Sequence, residues 1–395
     1  MKFSELALHQ SILQSLKDIG FEEMTDIQEQ TIPAILEGKD LIGQSMTGSG
    51  KTAAFGVPII QHCRPEKKVQ ALILEPTREL AEQVTVELKK FAKHSHVFVT
   101  SIYGGVSMEP QIQNLRHTDI VVGTPGRILD HLRNHTLSLA HVHILTLDEA
   151  DRMLDMGFID DINKIISQVP QHRQTLLFSA TMPDEIKRLA HRYMKNPVHI
   201  KTQIHIEKSR LSHIYYDVKP FVKNQFMIHL LQKENPELAI VFCATRTRTH
   251  SLAITLQHAG LRAKAIHGGL SQAQRMHTLE SFHNKHYNIM IATDVAARGL
   301  DFKNISHIIN YDVPKTPEDY THRIGRTARE GKSGIAITLV AQQDHDAFRK
   351  IIQKVDIEKA VMDDFVPKRE PFHEQPQQYG GRRSYGSERR PRRRY

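Results

Sequence analysis

The chain predicts an α/β fold in two tandem units, each a mostly parallel sheet with helices on both faces, followed by a disordered basic tail. Three observations predict it. Short apolar runs alternate with helix-length amphipathic segments in the first half. A second series of the same kind begins after residue 210. Beyond about residue 366 the composition turns to Pro, Gln, Gly, Arg and Tyr, too poor in branched apolar residues to offset its ordering entropy.

Apolar residues at helical spacing (Ile12, Leu13, Leu16, Ile19) predict a helix over 9–19 that stops at Gly20, and a second helix runs to about residue 36. A short strand at 40–42 leads into a glycine-rich loop and a helix over 53–60. Strands are expected at 71–74, 97–102, 120–122, 144–147 and 176–178, with helices near 79–92, 109–117, 127–135, 151–169 and 183–195. Residues 200–210, polar and without period, read as the linker. The second series places strands near 214–218, 239–242, 263–266, 289–291, 308–310 and 334–339.

The length of 395 residues allows two to three domains. No stretch approaches the roughly 18 apolar residues of a membrane span. Met1-Lys2-Phe3-Ser4-Glu5 lacks the basic and apolar regions of a secretory signal. Cys63 and Cys243 are too few and too far apart for a disulfide framework or a zinc site, so a cytoplasmic, reducing location is expected. His131 and His135 share an i, i+4 spacing with no acidic or Cys partner nearby and read as surface residues. The net charge is +9, of which residues 380–395, with seven arginines and one glutamate, carry +6. A basic tail on a near-neutral body points to a polyanionic partner, above all nucleic acid.

The chain is organised around Ser45-Met46-Thr47-Gly48-Ser49-Gly50-Lys51-Thr52. Between a strand and a helix, Gly48 and Gly50 let the backbone wrap an anion and turn its N–H groups toward phosphates. Lys51 reaches the β- and γ-phosphates and the Thr52 hydroxyl can ligate Mg²⁺. The apolar run 144–147 ends in Asp148-Glu149-Ala150-Asp151. Asp148, at a buried strand tip beside a phosphate loop, fits a Mg²⁺ partner, and Glu149 is placed to orient or deprotonate an attacking water. Ahead of the loop, Phe21 can stack on a base and the planar amide of Gln28 can read an adenine edge. Arg326 and Arg329, three apart on one helical face, can clamp a transferring phosphoryl group.

With these motifs the chain resembles the DEAD-box family of ATP-dependent RNA helicases over residues 3–340. The resemblance implies an N-terminal RecA-like domain at 1–205, a C-terminal one at 206–365 and a tail at 366–395. It implies ATP and Mg²⁺ as cofactors, with Ser45, Gly48, Ser49, Gly50, Lys51 and Thr52 around the phosphates and Asp301 on the ribose. Lys51, Asp148, Glu149, Arg326 and Arg329 would carry catalysis. Ser179 and Thr181 would tie Asp151 to the contact between domains. RNA would be held by Pro76-Thr77-Arg78, Gly104-Gly105, Thr124 and Arg127 in the first domain. In the second it would meet Thr245, Gly268, Gln272, Arg275 and Thr293. Met24, Ser45 and Ala328 stand where the family usually has proline, alanine and glycine. The phosphate loop lies in one half and the arginines in the other, so a complete site requires both halves on one ATP. The expected partner is RNA, single-stranded or in short duplexes, with no membrane.

Overall fold

The computed structural model describes residues 1–45, 48–202, 211–297, 302, 305–327 and 333–367. Its first sheet contains β1 (Leu41–Gln44), β2 (Ala71–Leu74), β3 (Val99–Ile102), β4 (Ile120–Gly123), β5 (Ile144–Leu147), β6 (Gln174–Ser179) and β7 (Val198–Lys201). Between them run α1 (Gln10–Asp18), α2 (Asp26–Leu36), α3 (Lys51–His62), α4 (Arg78–Phe91) and α5 (Glu109–Leu115). They are followed by α6 (Pro125–Arg133), α7 (Ala150–Asp155), α8 (Ile159–Ile166) and α9 (Asp184–Tyr193). The spatial order is β3-β4-β2-β5-β6-β1-β7 and every described ladder is parallel.

A parallel strand covered on both faces reads as unbroken apolar sequence. Ala71-Leu72-Ile73-Leu74 does so because alternate residues enter different cores. Ala71 and Ile73 pack on the side of α3, whereas Leu72 and Leu74 pack on the side of α6 and α8.

The second sheet repeats the plan with β8 (Leu211–Asp217), β9 (Ala239–Phe242), β10 (Ala263–Ile266), β11 (Ile289–Ala292), β12 (His307–Asn310), β13 (Gly334–Val340) and β14 (Glu358–Lys359). Its helices are α10 (Lys223–Glu234), α11 (Arg246–His258), α12 (Gln272–His283), α13 (Asp294–Ala297), α14 (Pro317–Ile324) and α15 (His345–Ile352). The order β10-β11-β9-β12-β13-β8-β14 is the order of the first sheet, strand for strand.

Three expectations are corrected. The helix expected over 151–169 is two, α7 and α8, because Gly157 takes φ 78° between them. The start of the expected linker is β7, an edge strand that buries Ile200 against the first core. His131 is not a surface residue: it is fully buried, its Nδ1 2.8 Å from the Thr136 hydroxyl and its Nε2 3.4 Å from Gln111 Oε1. The tail from 368 onward lies outside the described residues, as do 203–210 of the linker.

Candidate active site

The polar motifs collect at the carboxyl ends of the strands, where parallel sheets bind ligands. Lys51 opens α3, and Gly50, its N-cap, holds φ 90°. A side chain on Gly50 would collide with Gln28 and Thr25, because the Gln28 amide donates to the Gly50 carbonyl at 3.0 Å and the Thr25 hydroxyl donates to that of Ser49 at 2.8 Å. Gln28 Oε1 also accepts the Thr25 amide at 2.9 Å, closing the capping box of α2. The buried Gln28 thus latches the phosphate loop, with one N–H and one lone pair left for another partner. Phe21 is half-exposed, with its ring 5.8 Å from that of Phe91 and stacked on Phe3. The Ser45 hydroxyl lies 2.9 Å from that of Ser49, a bond that alanine at 45 would lack. Gly48 sits at φ 84° and Thr52 is partly buried on the first turn of α3.

Lys51 Nζ donates to the Ser45 carbonyl at 3.3 Å and lies 3.9 Å from Asp148 Oδ1, both side chains being buried. Burial pushes the Asp148 carboxyl up to about 6, with Lys51 opposing the shift. Glu149, next along, adopts a left-handed backbone (φ 46°, ψ 48°), is buried, and leaves Oε2 without a partner. Such strain is held in place only by its surroundings and gathers at working sites. The Thr181 amide and hydroxyl both donate to Asp151 Oδ2 at 2.8 Å, while the Asp151 amide donates to the Ser179 hydroxyl at 3.2 Å. Burial would raise the Asp151 carboxyl, but the two Thr181 bonds together with the charges of Lys51 and Arg152 outweigh it and hold the group below its ordinary value.

A second cluster forms where β2, β3 and β4 end. Pro76 and Thr77 lead into α4, with the Thr77 hydroxyl accepting the Leu80 amide at 3.3 Å. Arg78 passes so close over Gly105 (φ 82°) that any side chain there would strike its guanidinium. Gly104 lies beside both Arg78 and Arg127, and Arg127 donates twice to the Val106 carbonyl at 3.2 and 3.1 Å. Thr124 caps α6.

On the second sheet Thr245 caps α11, Gln272 opens α12, Gly268 lies beside Arg246, and buried Thr293 precedes α13. Arg275 lies 3.0 Å from Glu79 of the first unit, a charge contact out of line for a hydrogen bond. Buried Arg326 lines a cleft with Arg323, Asp294 and Phe242, and Arg152 of α7 lines it from the first unit. Asp301 and Arg329 lie outside the described residues.

Two residues escaped the sequence reading. Arg323 bonds both Asp294 oxygens at 2.6 and 2.7 Å, Asn310 at 2.9 Å and the Asp312 carbonyl at 2.7 Å, with its guanidinium 5.0 Å from the Phe242 ring centroid. Glu75, just after β2, is fully buried with both carboxyl oxygens unpartnered. Its position after four apolar residues was the only signal available.

The DEAD/DEAH box helicase family model matches residues 25–189, and the helicase conserved C-terminal domain model matches 222–331. The chain is 52% identical over 347 residues to the ATP-dependent RNA helicase CshA of Listeria monocytogenes, covering 87% of this chain and 66% of the relative. The chain belongs to the DEAD-box helicase family. A DEAD-box ATP-dependent RNA helicase CshA of Geobacillus kaustophilus is 49% identical over 345 residues, 87% of this chain and 74% of the relative. The chain spans about two thirds of the length of the CshA proteins it matches first, at 66% and 67%.

Among solved DEAD-box structures, S. cerevisiae Dbp5 bound to RNA and ADP BeF3 is 30% identical with a TM-score of 0.83, over 91% of this chain and 95% of that one. A DEAD box protein from Methanococcus jannaschii is 42% identical with a TM-score of 0.55, over 91% and 99%.

Proposed function

We propose that this protein is an RNA-stimulated ATPase that holds RNA across two lobes, residues 1–205 and 206–365, separates short duplexes or remodels RNA–protein complexes, and releases the strand on hydrolysis. One observation carries the reading. Lys51 and the glycine loop stand against a buried Asp148, and next to it Glu149 keeps an unpartnered carboxylate oxygen in a strained backbone. Membership of the family and the RNA-bound state of Dbp5 support RNA as the polymer.

The residues fit Mg²⁺·ATP. Three buried acidic side chains, Asp148, Glu149 and Asp151, lie near one buried lysine, Lys51, a balance that favours a bound cation. Thr52 and Asp148 would hold the metal, in part through water, and when bound it neutralises charge on the β- and γ-phosphates. Lys51 and the loop amides bind the triphosphate, and Gly48 and Gly50 keep side chains out of its path. Phe21 and Gln28 take the adenine, Ser45 and Ser49 brace the loop, and Asp301 meets the ribose. Glu149 aligns the attacking water and accepts its proton. Arg326 and Arg329 supply positive charge from the second lobe to the transferring phosphoryl group, an effect of about 10³–10⁵ in related enzymes.

Asp151, Ser179 and Thr181 lie on the route from the DEAD carboxylates to the lobe interface. Pro76-Thr77-Arg78, Gly104-Gly105, Thr124 and Arg127 take RNA phosphates on the first lobe. Thr245, Gly268, Gln272, Arg275 and Thr293 do so on the second. We place the protein in the cytoplasm, in keeping with its two free, buried thiols. No described helix is long and apolar enough to cross a membrane.

The test is phosphate release with single-stranded RNA, duplex RNA and the matching DNAs. Stimulation by RNA alone is expected, and equal stimulation by DNA or none at all rejects the reading.

A further inference from the structure

We propose that Glu75 is a further positioning residue for the ATP hydrolysis inferred above, fixing the pose of the Asp148 and Glu149 carboxyls beneath the phosphate loop. The inference rests on that reading of the site. Leu74 of β2 pairs in register with Leu147 of β5, and the Asp148 amide donates to the Leu74 carbonyl at 3.1 Å. The next residues along the two strands are therefore Glu75 and Asp148, lateral neighbours at the ordinary spacing of about 4.8 Å between strands.

Their side chains share a face. Leu74 and Leu147 both enter the core on the α6 and α8 side, so the pleat turns Glu75 and Asp148 toward α3. There α3 begins with Lys51, 3.9 Å from Asp148 Oδ1.

Glu75 is wholly buried and neither of its oxygens has a hydrogen-bond partner. Two more buried atoms nearby are also unpartnered, Glu149 Oε2 and the hydroxyl of Thr146, one pleat below Asp148. An acid kept bare inside a protein is costly, and a group that served packing alone would be better replaced by an apolar one. The two bare oxygens of Glu75 lie on the same face of the sheet as the Asp148 carboxyl, on the adjoining strand. Through a bridging water that donates to both sides, Glu75 holds the neighbouring carboxyls in place while the nucleotide comes and goes.

Full-length E75A, E75Q, D148A and the E75A/D148A double variant are compared with the parent for melting temperature, KM for ATP, and kcat at saturating RNA. E75A is expected to melt at or above the parent temperature while kcat falls about tenfold with KM moving less than about twofold. E75Q, which keeps a hydrogen-bonding group of the same shape, returns kcat to within about threefold of the parent. Unchanged kcat in E75A makes Glu75 a packing residue and overturns the proposal. A kcat that falls together with the melting temperature and is not restored in E75Q does the same. Melting shifts of E75A and D148A that simply add in the double variant also overturn it. That last readout needs no turnover, so it still decides the matter if the parent shows no RNA-stimulated hydrolysis, the result that would instead sink the functional reading.

Discussion

At Glu149 the backbone sits at φ 46°, where a residue bearing a Cβ is disfavoured by roughly 1–3 kcal/mol. The neighbouring bonds that hold it there are the ones made by Asp148 Oδ1, which accepts the Glu149 amide at 2.8 Å, and by the Glu149 carbonyl, which accepts the Arg152 amide at 2.8 Å. Glu149→Gln keeps this pose and removes only the proton acceptor, so ATP and RNA affinity should persist while kcat drops by about 10²–10⁴. Single-turnover phosphate release with parallel binding curves measures both. Asp148 gives a prediction in pH. Its folded carboxyl protonates near 6 rather than 3.8, so between those values the folded chain binds more protons than the unfolded one. Stability from this group is therefore greatest below pH 3.8 and declines as pH rises toward 6, by at most about 3 kcal/mol. Urea midpoints of the nucleotide-free protein should show the parent losing ground to Asp148→Asn across that interval.

Helices and strands carry the next level. α14 contributes Arg323, which draws together the start of α13 through Asp294, the end of β12 through Asn310 and the segment after it through the Asp312 carbonyl. Removing one partner of a buried ion pair costs about 3–5 kcal/mol. With Asp294 partly open to solvent, Arg323→Ala should lie near the lower end, about 3 kcal/mol, read from denaturant midpoints. Most strands were legible because buried parallel strands are runs of Val, Ile, Leu and Ala, and the phosphate loop and Asp148-Glu149 were legible because they follow such runs. The α7–α8 break was missed because the apolar period continues across Gly157 and only its positive φ ends the helix. β7 was missed because an edge strand half open to water has mixed composition. His131 was misplaced because burial comes from α6 packing and from bonds to Thr136 and Gln111, which spacing alone does not show. Arg323 looked like one more cation in a basic stretch, since its four acceptors come from two distant stretches, Asp294 and the residues Asn310 and Asp312.

On the scale of the whole molecule, the two sheets meet through few described contacts, among them Glu79 with Arg275 and the cleft shared by Arg152, Arg323 and Arg326. Closure therefore draws on ligands as well as protein contacts, and ATP and RNA should each tighten the binding of the other by the same factor. The basic tail adds a salt-sensitive term: truncation after Lys368 should weaken RNA binding and flatten its dependence on salt while leaving ATP affinity unchanged, as titrations at several ionic strengths would show. The strand order common to both sheets lets the two units be compared place for place. Where α3 begins with Lys51, its counterpart α10 begins with Lys223; where β5 is followed by Asp148, its counterpart β12 is followed at one remove by Asp312. The stretch corresponding to the glycine loop is Val218-Lys219-Pro220-Phe221-Val222, which lacks glycine, and Lys223 is buried 3.5 Å from Asp344. The two units thus share one plan, and at the place where the first carries Lys51 behind a glycine loop the second turns its lysine inward as a strut against Asp344.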